Sequence, residues 1–135
     1  MAGYSGTPLV KKLGIKPGQR IALLGGPAGY GKVLGKLPEG VNCGEELREK
    51  LDFIQLFVTS QTELKQRFAA AKGCLAGNGA LWISWPKKAS GMESDLNENV
   101  VREIGLSMGM VDVKVCAVDD TWSGLKFVYR LKDRA

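Results

Sequence analysis

The sequence predicts an α/β protein, a three-layer α/β/α sandwich whose mostly parallel sheet ends in an antiparallel hairpin. Three observations predict it. The runs Arg20–Leu24, Leu51–Val58 and Ala80–Trp85 are continuously apolar rather than alternating, the pattern of strands buried on both faces. Stretches with helical spacing or helix-start signals lie between them, which implies parallel pairing through crossovers. The end of the chain alternates apolar and polar residues in two runs, the pattern of a half-exposed hairpin.

The elements follow in order. Pro8–Leu13 is a short helix closed by Gly14, and Lys16–Gly18 is a turn. The strand Arg20–Leu24 runs into a glycine-rich turn, Gly25–Gly31, and a helix over Tyr30–Leu37 that ends at Pro38–Gly40. Val41–Cys43 is a short strand and Glu45–Leu51 a helical turn. After the strand Leu51–Val58, Ser60 and Glu63 have the spacing of a capping box. Leu64, Phe68, Ala71 and Leu75 then form one apolar stripe, and Gly77–Gly79 breaks the helix. After Ala80–Trp85 and a polar loop, Asp95 and Glu98 repeat the capping signal, with Leu96, Val100, Ile104 and Met108 as the stripe. In Val111–Val118 the residues Val111, Val113, Val115 and Ala117 share one face, and Asp112, Lys114 and Cys116 share the other. In Gly124–Leu131 the residues Leu125, Phe127, Tyr129 and Leu131 share a face. The resulting order is β-α-β-α-β-α-β-β. With 135 residues and no linker or repeat, residues 1–135 form one domain.

Composition narrows the chemistry. The chain has no histidine, which excludes Ser-His-Asp and Cys-His catalysis and any histidine metal site. Its three cysteines, Cys43, Cys74 and Cys116, are far apart and odd in number, against a disulfide framework or a zinc site. No apolar run reaches the roughly 20 residues of a membrane span. The N-terminus lacks the signature of a secretory signal, so the expected setting is cytoplasmic. The net charge of +5 suits either a phosphate-binding surface or a solvated basic one. The lysines are scattered, so the solvated surface is expected and nucleic acid is not.

Ligands of parallel sheets bind beyond the carboxyl ends of the strands. Those ends bring Gly25, Gly26, Gly29 and Tyr30 to one edge of the molecule with Thr59, Ser60, Trp85, Lys87, Lys88, Asp119 and Trp122. This mixture suits an anionic or aromatic ligand such as a nucleotide. The plainer alternative is that the tryptophans close the core and the lysines are solvated. Gly26, Gly31 and Lys32 also match the spacing of a phosphate-binding loop, but Val33 stands where magnesium binding needs Ser or Thr. A tight strand-to-helix turn explains the glycines as well. Asp119 and Asp120 suit a general base or, more simply, a turn. Cys116 beside Lys114 suits a reactive thiolate or a packed thiol.

The element order and several segments resemble the S-adenosylmethionine-dependent methyltransferases. These segments are Leu13–Ile21, Leu51–Ile54 and Leu75–Ile83. The resemblance implies a compact Rossmann-like fold and S-adenosylmethionine as the cofactor; the residues by themselves assure none. That family keeps an acid two residues before the first glycine of its cofactor loop, where this chain has Leu23. Its middle glycine falls at Pro27 and its third at Gly29. Glu45 or Glu46 stands nearest its ribose-binding acid. The interval from Gly29 to Asp52 is too short for two further strands with their helices, since one βαβ unit takes about 30 residues.

More closely, the chain resembles a small bacterial family of unknown function. The resemblance rests on a Gly-Tyr-Ser-Gly-Thr-Pro-Leu start at Gly3–Leu9, a Trp-Pro-Lys-Lys segment at Trp85–Lys88, the stretch Val111–Asp119 and the stretch Trp122–Lys126. The expectation is a cytoplasmic domain without methyltransferase activity that binds a small ligand or a partner. A reduced methyltransferase or nucleotide-binding protein is the alternative, and a homodimer through the terminal hairpin a further expectation.

Overall fold

The computed structural model describes residues 7–134, so Gly3–Gly6 of the N-terminal resemblance lie outside the described residues. The elements are α1 (Leu9–Leu13), β1 (Arg20–Leu24), α2 (Tyr30–Leu34), β2 (Asn42–Gly44), β3 (Leu51–Phe57), α3 (Gln61–Cys74), β4 (Leu75–Pro86), α4 (Glu98–Ser107), β5 (Met110–Ala117) and β6 (Trp122–Tyr129). They build one sheet in the order β2-β1-β3-β4-β6-β5. The pairs β2–β1, β1–β3 and β3–β4 are parallel, and β4–β6 and β6–β5 are antiparallel. The predicted α/β architecture with its terminal hairpin is the observed one.

The two faces of the sheet carry separate apolar clusters. On one, Ile54, Leu56 and Ile83 pack against Leu64 and Phe68 of α3 and Val101 and Ile104 of α4. On the other, Phe53, Phe57 and Trp82 pack against Val10 and Leu13 of α1 and Tyr30 and Leu34 of α2. Strand β3 feeds both, which is why its sequence does not alternate. Trp82 is fully buried, and its indole N–H donates to the Leu13 carbonyl at 2.9 Å, fixing the end of α1 to the sheet.

Several elements differ from expectation, each for a local reason. Helix α2 stops at Leu34, because Gly35 takes φ 82° and ψ −162°; Leu37 packs from a loop instead. Residues Glu45–Lys50 are irregular rather than helical, ending in Lys50 at φ 55°. Helix α3 ends at Cys74, so Leu75 opens β4 instead of closing the helical stripe. The Tyr129 hydroxyl reaches the Lys72 and Leu75 carbonyl oxygens there and satisfies the helix end. Gly77–Gly79 lies within β4, where the register with β3 shifts between Leu51 and Phe53. A Cβ at Gly79 would stand 2.9 Å from Leu75 Cγ and 3.0 Å from the Ala76 carbonyl, so the irregularity needs glycine. Helix α4 is capped by Asn97, whose side chain accepts from the Val100 N–H, and not by Asp95. Its buried residues are Val101, Ile104 and Gly105; Leu96 of the expected stripe is buried in the same cluster, and Val100 and Met108 pack half-buried against it. Val113 and Val115 are exposed, because β5 is an edge strand with a bulge between Asp112 and Lys114.

The closest approach of helix to sheet is at Gly105, where a Cβ would lie 2.0 Å from the fully buried ring of Phe127. That ring is held edge-on by Phe68, with centroids 5.4 Å apart. Gly105→Ala should therefore destabilise by about 1–3 kcal/mol through overpacking. Gly73→Ala in α3, where nothing stands within 4 Å, should stabilise by up to about 1 kcal/mol. Urea unfolding of the two variants checks both signs.

Candidate functional site

The carboxyl ends of β1, β3 and β4 and the β5–β6 turn meet at one edge, but their side chains divide between the two faces. The glycine turn closes on β3. Gly25 has φ 71°, and a Cβ there would stand 3.0 Å from the Phe57 carbonyl oxygen and 3.5 Å from Arg67 Nη1. A Cβ at Gly26 would meet the Phe57 ring at 3.5 Å. The glycines thus let the turn approach β3. Gly29, at φ 81°, caps α2 and faces open space.

Tyr30, Phe57 and Trp122 form a buried aromatic chain beside this turn. Tyr30 and Phe57 meet edge-on at 4.7 Å, and Phe57 and Trp122 at 5.1 Å. The Tyr30 hydroxyl donates to Gln55 Oε1 at 2.7 Å, and Gln55 Nε2 donates to Ser84 Oγ at 3.1 Å. Gln55 and Ser84 are both fully buried. Burial pushes the Tyr30 phenol well above its ordinary value, against the lowering effect of the Gln55 hydrogen bond. Tyr30 is therefore a neutral donor that pins α2 to the sheet.

Asp119 has a structural task. Its Oδ1 accepts from the Thr121 and Trp122 N–H groups, each at 2.8 Å, which is the turn alternative. Cys116 is partly buried against the Trp122 side, and burial raises its thiol despite Lys12 and Lys114. That is the packed thiol, not an activated thiolate.

Two clefts lie on the opposite side of this edge. One, of about 480 Å³, is lined by Thr59, Ser60, Glu93, Ser94 and Asp95. The other, of about 360 Å³, is lined by Trp85, Lys87, Lys88 and Met92 among others, and shares Ser94 and Asp95 with the first. Many of the polar groups here already have partners. Ser60 Oγ accepts from Glu63 N–H at 3.1 Å, the predicted cap, while Glu63 Oε1 reaches one residue further back than a capping box requires and accepts from Thr59 N–H at 3.1 Å. Asp95 Oδ1 accepts from Gln61 N–H at 2.8 Å, so the loop's carboxylate sits on the start of α3. The Lys87 backbone N–H donates to the Thr121 carbonyl at 2.7 Å, which ties this loop to the β5–β6 turn.

The predicted site thus splits in two. Gly25, Gly26, Tyr30 and Trp122 surround Phe57, with Asp119 holding the turn before Trp122, whereas Thr59, Ser60, Trp85, Lys87 and Lys88 line the clefts. Trp85 and Trp122 belong to different clusters. Sequence reasoning missed Phe57, Gln55 and the Glu93–Asp95 wall. The only signal for Gln55 was a polar residue inside an apolar run.

The chain has the methyltransferase-like α/β fold. A TehB-like SAM-dependent methyltransferase from Corynebacterium glutamicum superposes with a TM-score of 0.61 at 11% identity, over 90% of this chain and 85% of that one. Magnesium protoporphyrin IX methyltransferase from Synechocystis gives 0.59 at 13%, over 90% and 78%. A SAM-dependent methyltransferase from Aquifex aeolicus gives 0.56 at 16%, over 93% and 89%. No protein-family model and no curated protein matches the chain. Among the described residues, no helix is long and apolar enough to cross a membrane.

The chain's residues fit S-adenosylmethionine poorly. Leu23 and Pro27 stand where the methyltransferase resemblance implies an acid and a glycine, and Gly25 and Gly26 pack on Phe57, although Gly29 and Gly31 face open space. Glu45, which the resemblance places nearest the ribose-binding acid, follows β2 directly, beside β1.

Tyr30→Phe should cost about 1–3 kcal/mol, because it leaves Gln55 Oε1 buried without its donor. Above about pH 9 the unfolded chain releases the Cys116 and Tyr30 protons that the folded chain retains. Stability should therefore fall as pH rises from 9 to 11, and fall less steeply in Tyr30→Phe. Urea midpoints measured across that range test it, and equal slopes would remove Tyr30 as a cause.

Proposed function

We propose that this chain is a methyltransferase-fold domain that does not transfer methyl groups and instead holds a small anionic ligand in the cleft between α3 and the Lys87–Asn97 loop. One observation carries the reading. At Gly25 and Gly26 the turn after β1 packs on the protein's own Phe57, with the Tyr30 and Trp122 rings beside it, while the accessible space at this edge of the sheet lies beside Thr59, Lys87 and Lys88. The lysine ammoniums supply charge for a phosphate or carboxylate, and the Thr59 and Ser94 hydroxyls line the space beside them. The bacterial origin and cytoplasmic setting implied by the closer resemblance belong to this proposal.

A thermal-shift series with S-adenosylmethionine, S-adenosylhomocysteine, ATP, GTP and NAD tests it. A ligand at 100 times its Kd adds about 2.7 kcal/mol, a shift of several degrees. The expected result is a shift with a phosphate-bearing compound that disappears in Lys87→Gln/Lys88→Gln, and none with the adenosyl compounds. A saturable shift with S-adenosylmethionine that survives those changes and is lost in Gly25→Val would overturn the proposal in favour of the reduced methyltransferase. Silence from all five compounds would overturn its ligand half.

A further inference from the structure

The register of the terminal hairpin sets like charges face to face. Lys114 of β5 is directly opposite Lys126 of β6. Such pairs destabilise a sheet. The bulge between Asp112 and Lys114 creates this one. In a regular strand Asp112 and Lys114 would share a face, and the acid would sit two residues from the lysine. Instead Asp112 pairs opposite Phe127, on the face covered by α4, where it accepts from Arg102 Nε at 2.8 Å. Lys114 is left on the α1 face with Lys126.

Helix α1 completes the arrangement. Lys114 Nζ donates to the Lys12 carbonyl at 2.8 Å, which holds the ammonium over the helix end. Lys126 Nζ stands 3.9 Å from where a Gly14 Cβ would be. Burial, then the ammoniums of Lys114 and Lys16, holds Lys126 below the ordinary lysine range. Among the described residues the ion pairs are Arg67–Glu63, Arg102–Glu98 and Arg102–Asp112, and none reaches Lys16, Lys114 or Lys126. The residues that the register puts on this face are Val111, Lys114 and Cys116 of β5 and Gly124, Lys126 and Val128 of β6, with no carboxylate among them. A like-charge pair that no described carboxylate neutralises breaks a local rule of sheet pairing, and such departures are expected at functional sites.

We propose that the ammoniums of Lys114 and Lys126, gathered at the end of α1 with Lys16 at their border, dock on the phosphodiester backbone of double-stranded nucleic acid. Ammoniums act as point charges for phosphate and need no planar partner. The three tryptophans are all buried, so they offer no platform for stacking unpaired bases. Contact through backbone charge alone is independent of sequence and sensitive to salt. The scattered lysines of the sequence are gathered here by sheet register and not by spacing along the chain.

Fluorescence anisotropy of the full chain with a labelled 20-base-pair DNA, from 25 to 200 mM salt, tests the proposal. Lys114→Gln/Lys126→Gln should weaken binding about tenfold or more at low salt and reduce the slope of log K against log salt by about two. Lys65→Gln/Lys132→Gln removes the same charge elsewhere and should change the affinity less than about threefold. The Tm of Lys114→Gln/Lys126→Gln should rise, which separates lost binding from lost folding. Absence of binding at 25 mM salt would overturn the proposal. So would equal losses in the two double variants, a fall in Tm, or tighter binding to phosphatidylserine vesicles than to the duplex.

Discussion

Strand β3 is covered on both faces, and the rest of the chain is arranged to cover it. Ile54 and Leu56 enter one cluster, and Phe53 and Phe57 the other. A strand in that position leaves its edges to backbone pairing and its faces to apolar contact, so helices are required on both sides. The exception inside it is Gln55, fully buried and therefore obliged to find partners. Tyr30 and Ser84 are those partners, and they fix α2 and β4 against the strand at one depth. The same requirement explains why the glycine turn bends inward. Tyr30 reaches Gln55 only if the chain after β1 closes over Phe57, and Gly25 and Gly26 permit that approach.

The element types were legible in the sequence because they rest on periodicity. Continuous apolar runs for β3 and β4, the helix cap at Ser60 and the alternation in β6 each reflect a physical repeat that tertiary contacts did not override. What was not legible depends on contacts between distant residues. Leu75 fits the helical stripe of α3, but the Tyr129 hydroxyl and the pairing with Leu51 draw it into a strand. Asp95 has the spacing of a cap for α4, but its carboxylate reaches Gln61 at the start of α3. Val113 and Val115 alternate correctly for a covered face, yet the edge position and the bulge leave them exposed.

The candidate site shows the same division. The sequence places the carboxyl ends of the strands on one edge, since parallel pairing permits nothing else. It does not say which way each side chain turns from that edge. Trp85 and Trp122 are near neighbours across the β4–β6 pair, where Pro86 is opposite Trp122, yet successive positions on a strand point to opposite faces. A pocket between them is therefore excluded by the pleat. The aromatic side of the edge is a closed core, and the hydrophilic side, between α3 and the Lys87–Asn97 loop, is the accessible one.

The segment between β1 and β3 shows how a shortened chain keeps its sheet edge. Where the methyltransferase resemblance implies two further strands with helices, this chain has α2 and the three-residue β2. The Arg48 guanidinium compensates for part of the missing cover. Its Nη2 donates to Asn42 Oδ1 at 2.8 Å and to the Asn42 carbonyl at 3.2 Å, joining the irregular segment to the edge strand. Gly44 makes room for it, since a Cβ there would stand 2.6 Å from Arg48 Nη1. Among the described residues Arg48 Nε is buried without a hydrogen-bond partner, the cost of laying the guanidinium against the edge. Arg48, laid across Gly44, thus ties the irregular segment to the edge of the sheet, and the short edge strand leaves few unpaired backbone groups to protect.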